Sequence, residues 1–299
     1  MEKKLFIVLL VFVMATMVFA QEETNYWPTC QSPQNIAPMQ NAGGSKVYDR
    51  SSVVWNGKDY AVVWVDYIDY RLNFRRFFAD GTPVSSATIL STLYSYGSPK
   101  IVWNGSGYGV AWNGWSGSYY QIYFLRLDVN GSPIGSPVKV SFYGISETAD
   151  CSAPDLAYSG NGYCVTWCDD RNENGDIFAT LLDNNGVVTY SDTPISTAAD
   201  YQELPRIAWS SGVGRYQIVW SDYRSGSKVE IYGSQISPSN AVTSNVQLVS
   251  GISDSYTPVV ADMGNGLGMA WRDSRDGNWE IYFARLSANG NKISSDINI

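Results

Sequence analysis

Short apolar runs, each bounded by Gly, Asn, Asp or Ser, follow one another along this chain. No stretch beyond the first 20 residues keeps a helical period. The runs come in fours. Pro99-Lys-Ile-Val-Trp-Asn-Gly105 is followed by Tyr108-Gly-Val-Ala-Trp112, a polar loop, Gln121-Ile-Tyr-Phe-Leu-Arg-Leu-Asp128 and a shorter Pro137-Val-Lys-Val-Ser141. The second run ends in tryptophan at Trp64, Trp112, Trp167, Trp220 and Trp271, in steps of 48, 55, 53 and 51 residues. Four strands in a unit of roughly fifty residues is the pattern of a β-propeller blade.

The pattern therefore predicts an all-β fold, a propeller of four-stranded blades. Five repeats are expected, at about 51–98, 99–149, 150–204, 205–257 and 258–299; six blades is the alternative, should the N-terminal region add more than one strand. Residues 21–50 are expected to contribute a ring-closing or capping strand, since an open sheet edge invites pairing with other molecules. Asn35-Ile-Ala-Pro-Met39 and the terminal Asp296-Ile-Asn-Ile299 both have the composition for it.

Lys3 and Lys4 precede the apolar stretch Leu5 to Met17, and Val18-Phe19-Ala20 fits a small-residue cleavage site. Residues 1–20 read as a signal peptide, too short in its apolar part to span a membrane. The expected location is secreted or periplasmic, without membrane insertion, and a monomer is expected. The net charge of −8 disfavours nucleic acid as a partner. The chain has no histidine, which excludes Ser-His-Asp and Cys-His catalysis and removes the commonest zinc ligand. No metal and no cofactor are expected; the Asp-x-Asn-Gly turns offer too few consecutive oxygen ligands for calcium. Of the four cysteines, Cys30, Cys151, Cys164 and Cys168, the pair Cys151 and Cys168 is the expected disulfide, on the expectation that a hairpin sets Cys168 opposite Pro154.

The loops after the repeated tryptophan read Trp167-Cys-Asp-Asp-Arg171, Trp220-Ser-Asp-Tyr-Arg224 and Trp271-Arg-Asp-Ser-Arg275. A structural role is expected for Asp169, Asp222 and Asp273, which can cap the turn amides. The same holds for Arg171, Arg224 and Arg275, expected to pair with Asp176, Glu230 and Glu280 at the start of the third strand. The last unit, Asp273-Ser-Arg-Asp-Gly-Asn-Trp-Glu-Ile-Tyr282, resembles the repeats of TolB-type β-propellers, with Trp-Asn-Gly replacing that family's Ser-Pro-Asp-Gly type of first turn. The resemblance implies an extracytoplasmic interaction platform.

Alternating strand direction sorts the loops onto two faces. One carries short Asn-Gly and Asp-Gly turns; the other carries the second-to-third loops and the blade-to-blade connections, rich in aromatic and acidic residues. Trp27, Trp115 and Trp279 are the tryptophans that the repeat does not explain. Aromatic faces stack on sugars while carboxylates accept hydroxyl hydrogens, so a neutral carbohydrate suits this face. Its expected ligand-binding residues are Trp115, Tyr119, Asp155, Tyr201, Tyr223 and Trp279. Ser152-Ala-Pro-Asp155-Leu-Ala-Tyr158 is similar to the Ala-Pro-Asp-Ile motif of five-bladed arabinanase-type glycosidases, a resemblance that implies an aspartate tuning a catalytic acid. Because Pro154 recurs as Pro99 and Pro205, only Asp155 departs from the repeat. The function expected is a secreted non-enzymatic binding or interaction module for a glycan or extracellular protein; the alternative is an arabinanase-like glycoside hydrolase with paired carboxylates.

Overall fold

The structure, a computed structural model, describes residues 51–299 apart from Tyr67, Tyr96, Tyr143 and Ile252. The expected signal peptide (1–20), the expected closing or capping segment (21–50), Trp27 and Cys30 lie outside the described residues.

Every blade is a four-stranded antiparallel sheet in chain order. Blade 1 consists of β1 (Ser51–Trp55), β2 (Tyr60–Val65), β3 (Leu72–Phe77) and β4 (Thr88–Ser91). Blade 2 follows with β5 (Lys100–Trp103), β6 (Gly107–Trp115), β7 (Tyr120–Asp128) and β8 (Pro133–Lys139). Blade 3 contains β9 (Cys151–Tyr158), β10 (Gly162–Asp169), β11 (Asp176–Asp183) and β12 (Val188–Ser196). Blade 4 contains β13 (Gln202–Ser210), β14 (Arg215–Asp222), β15 (Glu230–Ile236) and β16 (Val246–Val249). Blade 5 is β17 (Ser255–Asp262), β18 (Leu267–Asp273), β19 (Glu280–Leu286) and β20 (Ile297–Asn298), so the C-terminal segment supplies its outer strand. The five-bladed expectation holds: there are five such sheets among the described residues.

The core lies between blades. Separate apolar clusters join blade 1 to 2, 2 to 3, 3 to 4 and 4 to 5, and each receives the repeated tryptophan of the later blade. Trp112, Trp167, Trp220 and Trp271 are at most 1% exposed, whereas Trp64, facing away from the blade 1 to blade 2 cluster, is half-buried.

The first turns do two jobs. Asn104 accepts the amides of Ser106 and Gly107 through Oδ1 at 2.9 and 2.7 Å, which caps the hairpin, while its Nδ2 donates to the Tyr163 hydroxyl of blade 3 at 2.6 Å. Asn56 repeats this with Tyr108 of blade 2. Trp-Asn-Gly is thus a turn and a clasp to the next blade. In the third-to-fourth turn of blade 2, Gly131 has φ +90° and a Cβ there would overlap the Phe74 ring, so glycine is required both sterically and conformationally.

The expected Cys151 to Cys168 disulfide is not formed; Cys151, Cys164 and Cys168 are buried free thiols. A bulge between Thr166 and Cys168 sets Cys168 opposite Ser152, not Pro154, and Cys151 opposite Asp169. Neighbouring strand positions face opposite sides of a sheet. Accordingly Cys151 donates to Asp169 Oδ2 at 3.3 Å and lies near Gln121 of blade 2, while Cys168 donates to the Gln202 carbonyl of blade 4 at 3.3 Å. Burial raises all three thiol pKa values, that of Cys168 to about 12, which keeps them protonated and unreactive.

Candidate functional site

The repeated motif has to be set aside before a site can be seen. In blades 3, 4 and 5 the tryptophan Nε1 donates to Oδ2 of the aspartate two residues on, at 3.1, 2.7 and 3.0 Å. That aspartate also accepts the backbone amide and two guanidinium donors of the following arginine. The guanidinium carbons of Arg171, Arg224 and Arg275 sit 4.1, 4.0 and 4.3 Å from the rings of Phe178, Tyr232 and Tyr282. The arginines do not pair with Asp176, Glu230 and Glu280 as expected. They reach the outer-strand side of the blade instead: Arg171 bonds Asp192, Arg224 bonds Asn245 and Ser196, and Arg275 bonds Asp296. The bidentate fork on a buried carboxylate, closed over by an aromatic ring, fixes their direction. Hydrogen bonds from Arg275, Trp271 and Ser255 hold the Asp273 carboxyl well below the usual range against its burial. These residues are bound up in the scaffold.

What varies lies on the innermost strands. Asp155 pairs with Thr166, and its equivalents one position before each tryptophan partner are Ser52, Lys100, Arg206 and Val259. Asp155 Oδ2 accepts the Ile207 amide of β13 at 3.0 Å, which fastens it to the next blade. The same strand carries Glu203. Register breaks between Glu203 and Arg206 on β13 and between Tyr256 and Val259 on β17 match the bulge on β9. At each break the residue before the proline has positive φ: Ala153 at 50°, Leu204 at 54° and Thr257 at 51°. Bulges bend a strand and re-aim the residue beside them. Here those residues are Ser152, Glu203 and Tyr256.

Two of the three are joined. Tyr223 donates from its hydroxyl to Glu203 Oε1 at 2.7 Å and lies 2.6 Å from the Tyr256 hydroxyl. Burial, the Tyr256 hydrogen bond and the Glu203 carboxylate all raise the Tyr223 pKa, so it stays a protonated donor. Tyr256 in turn packs edge-on to Trp279, 5.9 Å between centroids, and Trp279 is 47% exposed. Arg272 lies 3.9 Å from the centre of the Trp279 ring. Nearby in blade 3, burial and the charges of Asp169 and Asp150 raise the Asp170 pKa.

Of the residues expected at the site, the structure links Tyr223 and Trp279 through Tyr256, while Asp155 touches β13 at Ile207, four residues along the strand from Glu203. Tyr201 is exposed beside them, its carbonyl accepting the Tyr223 amide at 2.9 Å. Trp115, 39% exposed, packs on Tyr120 and donates its amide to the Tyr94 carbonyl at 2.8 Å. With Tyr119, whose carbonyl accepts from Ser116, it forms a separate group on blade 2. Glu203 and Tyr256 were not singled out from sequence. A signal was available: each stands two residues before the proline of an inner strand, where the repeat has no preferred residue.

No protein-family model matches the sequence and no curated protein matches it. Likeness is found among solved structures. An endo-arabinase from Bacteroides thetaiotaomicron is 13% identical with a TM-score of 0.53, over 83% of this chain and 97% of that one. A puromycin-hydrolysing peptidase of Mycobacterium tuberculosis is 13% identical with the same TM-score of 0.53, over 83% of this chain but 38% of the other. A thermostable family-43 glycoside hydrolase is 12% identical at TM-score 0.49, over 83% of this chain and 93% of that one. At such identities the likeness establishes the propeller fold. The TolB-type assignment is not supported: the neighbour matched over nearly its whole length at TM-score 0.53 is an endo-arabinase, and the motif that carried the resemblance is packing. The non-enzymatic binding module expected from sequence finds no support in that neighbour either.

Proposed function

We propose that this chain is an extracytoplasmic glycoside hydrolase acting on a carbohydrate polymer. The observation that carries the reading is that neighbouring innermost strands each hold a carboxylate by a defined donor, Asp155 on the Ile207 amide and Glu203 on the Tyr223 hydroxyl. Hydrolysis of a glycosidic bond needs a positioned carboxylic acid and a second carboxylate, and neither histidine nor a redox group. Glu203 is the acid in this reading. Its carboxyl is oriented by Tyr223, which is itself held by Tyr256. Asp155 is the partner carboxylate, locked by the Ile207 amide so that its charge stays fixed relative to Glu203. Trp279 and Tyr201 supply aromatic faces for sugar rings. The signal peptide expected at 1–20 would place the enzyme where polysaccharides are met.

Release of reducing ends from arabinan, arabinoxylan and pectic polymers tests the proposal. Glu203→Gln is expected to lower kcat by about 100-fold or more on polymers while sparing aryl glycosides whose leaving group needs no proton. Asp155→Asn separates two roles: loss on both substrates marks a base or nucleophile, and a shifted pH optimum with residual rate marks a residue tuning Glu203. A wild-type chain inactive on every polymer and aryl glycoside would sink the reading.

A further inference from the structure

The ring of inner-strand positions around Asp155 is not neutral. Its two neighbours in the ring are Lys100 and Arg206, although the chain as a whole carries −8. Arg206 is half-buried and its Nη1 donates to the Pro205 carbonyl at 2.8 Å, which folds the guanidinium back onto the bulge beside Glu203. A guanidinium has five donors, and among the described residues no carboxylate lies within ion-pair distance of this one. Arg272 is a second such case. It stacks at 3.9 Å on Trp279 and lies 5.8 Å from the Tyr256 ring, again with no carboxylate partner among the described residues. The contrast within the same blades is direct, since Arg224 and Arg275 are each neutralised by a buried aspartate. Arg75, Arg126, Arg215 and Arg285 also lack acids, but the first three each donate to a carbonyl near the outer strands and Arg285 is exposed on the third strand β19, away from the innermost strands.

Two guanidinium groups without acids, one at the axis and one on the exposed aromatic platform, flank the Glu203, Tyr223 and Tyr256 network. Planar forks of this kind match carboxylates bidentately. We propose that the glycan taken by this site is acidic, a uronic-acid-containing chain. Its sugar ring stacks on the open face of Trp279, and its carboxylates are read by Arg272 at the rim and Arg206 at the axis. This rests on the hydrolase reading for the location of the site and replaces the neutral carbohydrate expected from sequence with an acidic one. Arg206 and Arg272 are specificity-determining residues here, acting on the sugar's charge and not on the scissile bond.

The test is calorimetric titration of the Glu203→Gln chain, which leaves the ligand intact, with trigalacturonate and with arabinotriose. Trigalacturonate is expected to bind at least about tenfold more tightly, and less so as salt rises from about 0.05 to 0.5 M. Arg272→Gln and Arg206→Gln are each expected to weaken trigalacturonate about tenfold and leave arabinotriose unchanged. Near-ultraviolet circular dichroism checks that each variant is folded, and the exposed position of Arg272 keeps at least that one informative. Equal binding of the two sugars, or no effect of either substitution on a folded chain, overturns the proposal. The two readings fail separately. Arginine-dependent uronate binding with no polymer cleaved by wild type keeps the recognition and removes the hydrolase; cleavage of neutral arabinan unaffected by both substitutions does the reverse.

Discussion

At the scale of single residues, the repeated tryptophan differs between blades in what its indole nitrogen meets. In blade 4 Trp220 Nε1 bonds the fully buried Asp222, but in blade 2 Gly114 stands at the aspartate position and Trp112 Nε1 is buried without a partner. Trp220→Phe removes one of two donors to the buried Asp222 Oδ2, which keeps Arg224 Nη2, and is expected to cost about 1 kcal/mol more in urea denaturation than Trp112→Phe, which removes an orphan donor. Asp273 carries a pH dependence. Its folded pKa is depressed, so its contribution is present above the unfolded carboxylate value of about 4 and is lost as pH falls through the folded value. The stability gap between wild type and Asp273→Asn should therefore be full at pH 7 and shrink progressively below about pH 4. The capping role of this aspartate was legible because an Asx turn is local. The arginine's partners were not: Asp192 and Asp296 lie 21 residues further on, placed by the outer strand.

At the scale of the strand, the bulges decide which side chains face the axis. Leu204 holds a positive φ that glycine adopts freely and a β-branched residue does not. Leu204→Gly is expected to stay within about 1 kcal/mol of wild type, relief of strain offsetting added chain entropy. Leu204→Ile is expected to lose about 1–2 kcal/mol and, by displacing Glu203, to lower kcat on whatever polymer the wild type cleaves. Strand identity and hairpin turns were readable from alternation and from Asn-Gly or Asp-Gly pairs, which act over a few residues. A one-residue register shift was not. It leaves the apolar pattern of the strand intact while moving Glu203 next to Tyr223 and turning Cys151 and Cys168 to opposite sides.

At the scale of the molecule, the packing between blades is uneven among the described residues. Four inter-blade clusters each bury a tryptophan, while the fifth cluster, Ala270 and Phe283 with Val259, Ala261, Met263 and Ile281, lies wholly within blade 5. Trp64 is the tryptophan that would face that side, and it is half-buried. Trp220→Ala should cost about 3–5 kcal/mol by denaturant unfolding, and Trp64→Ala at most about half as much; equal losses would show the fifth interface to be packed like the others. The sequence by itself determined the strand content, the period, the number of blades and the tryptophan scaffold, because alternation, turn chemistry and repetition are local and survive without a partner. Only the tertiary structure decided which donors the carboxylates meet, which arginines are neutralised and which thiols stay apart. Those outcomes depend on residues about fifty positions apart, as with Asp155 and Ile207, being brought face to face by blade stacking. No pattern within a single repeat encodes that distance.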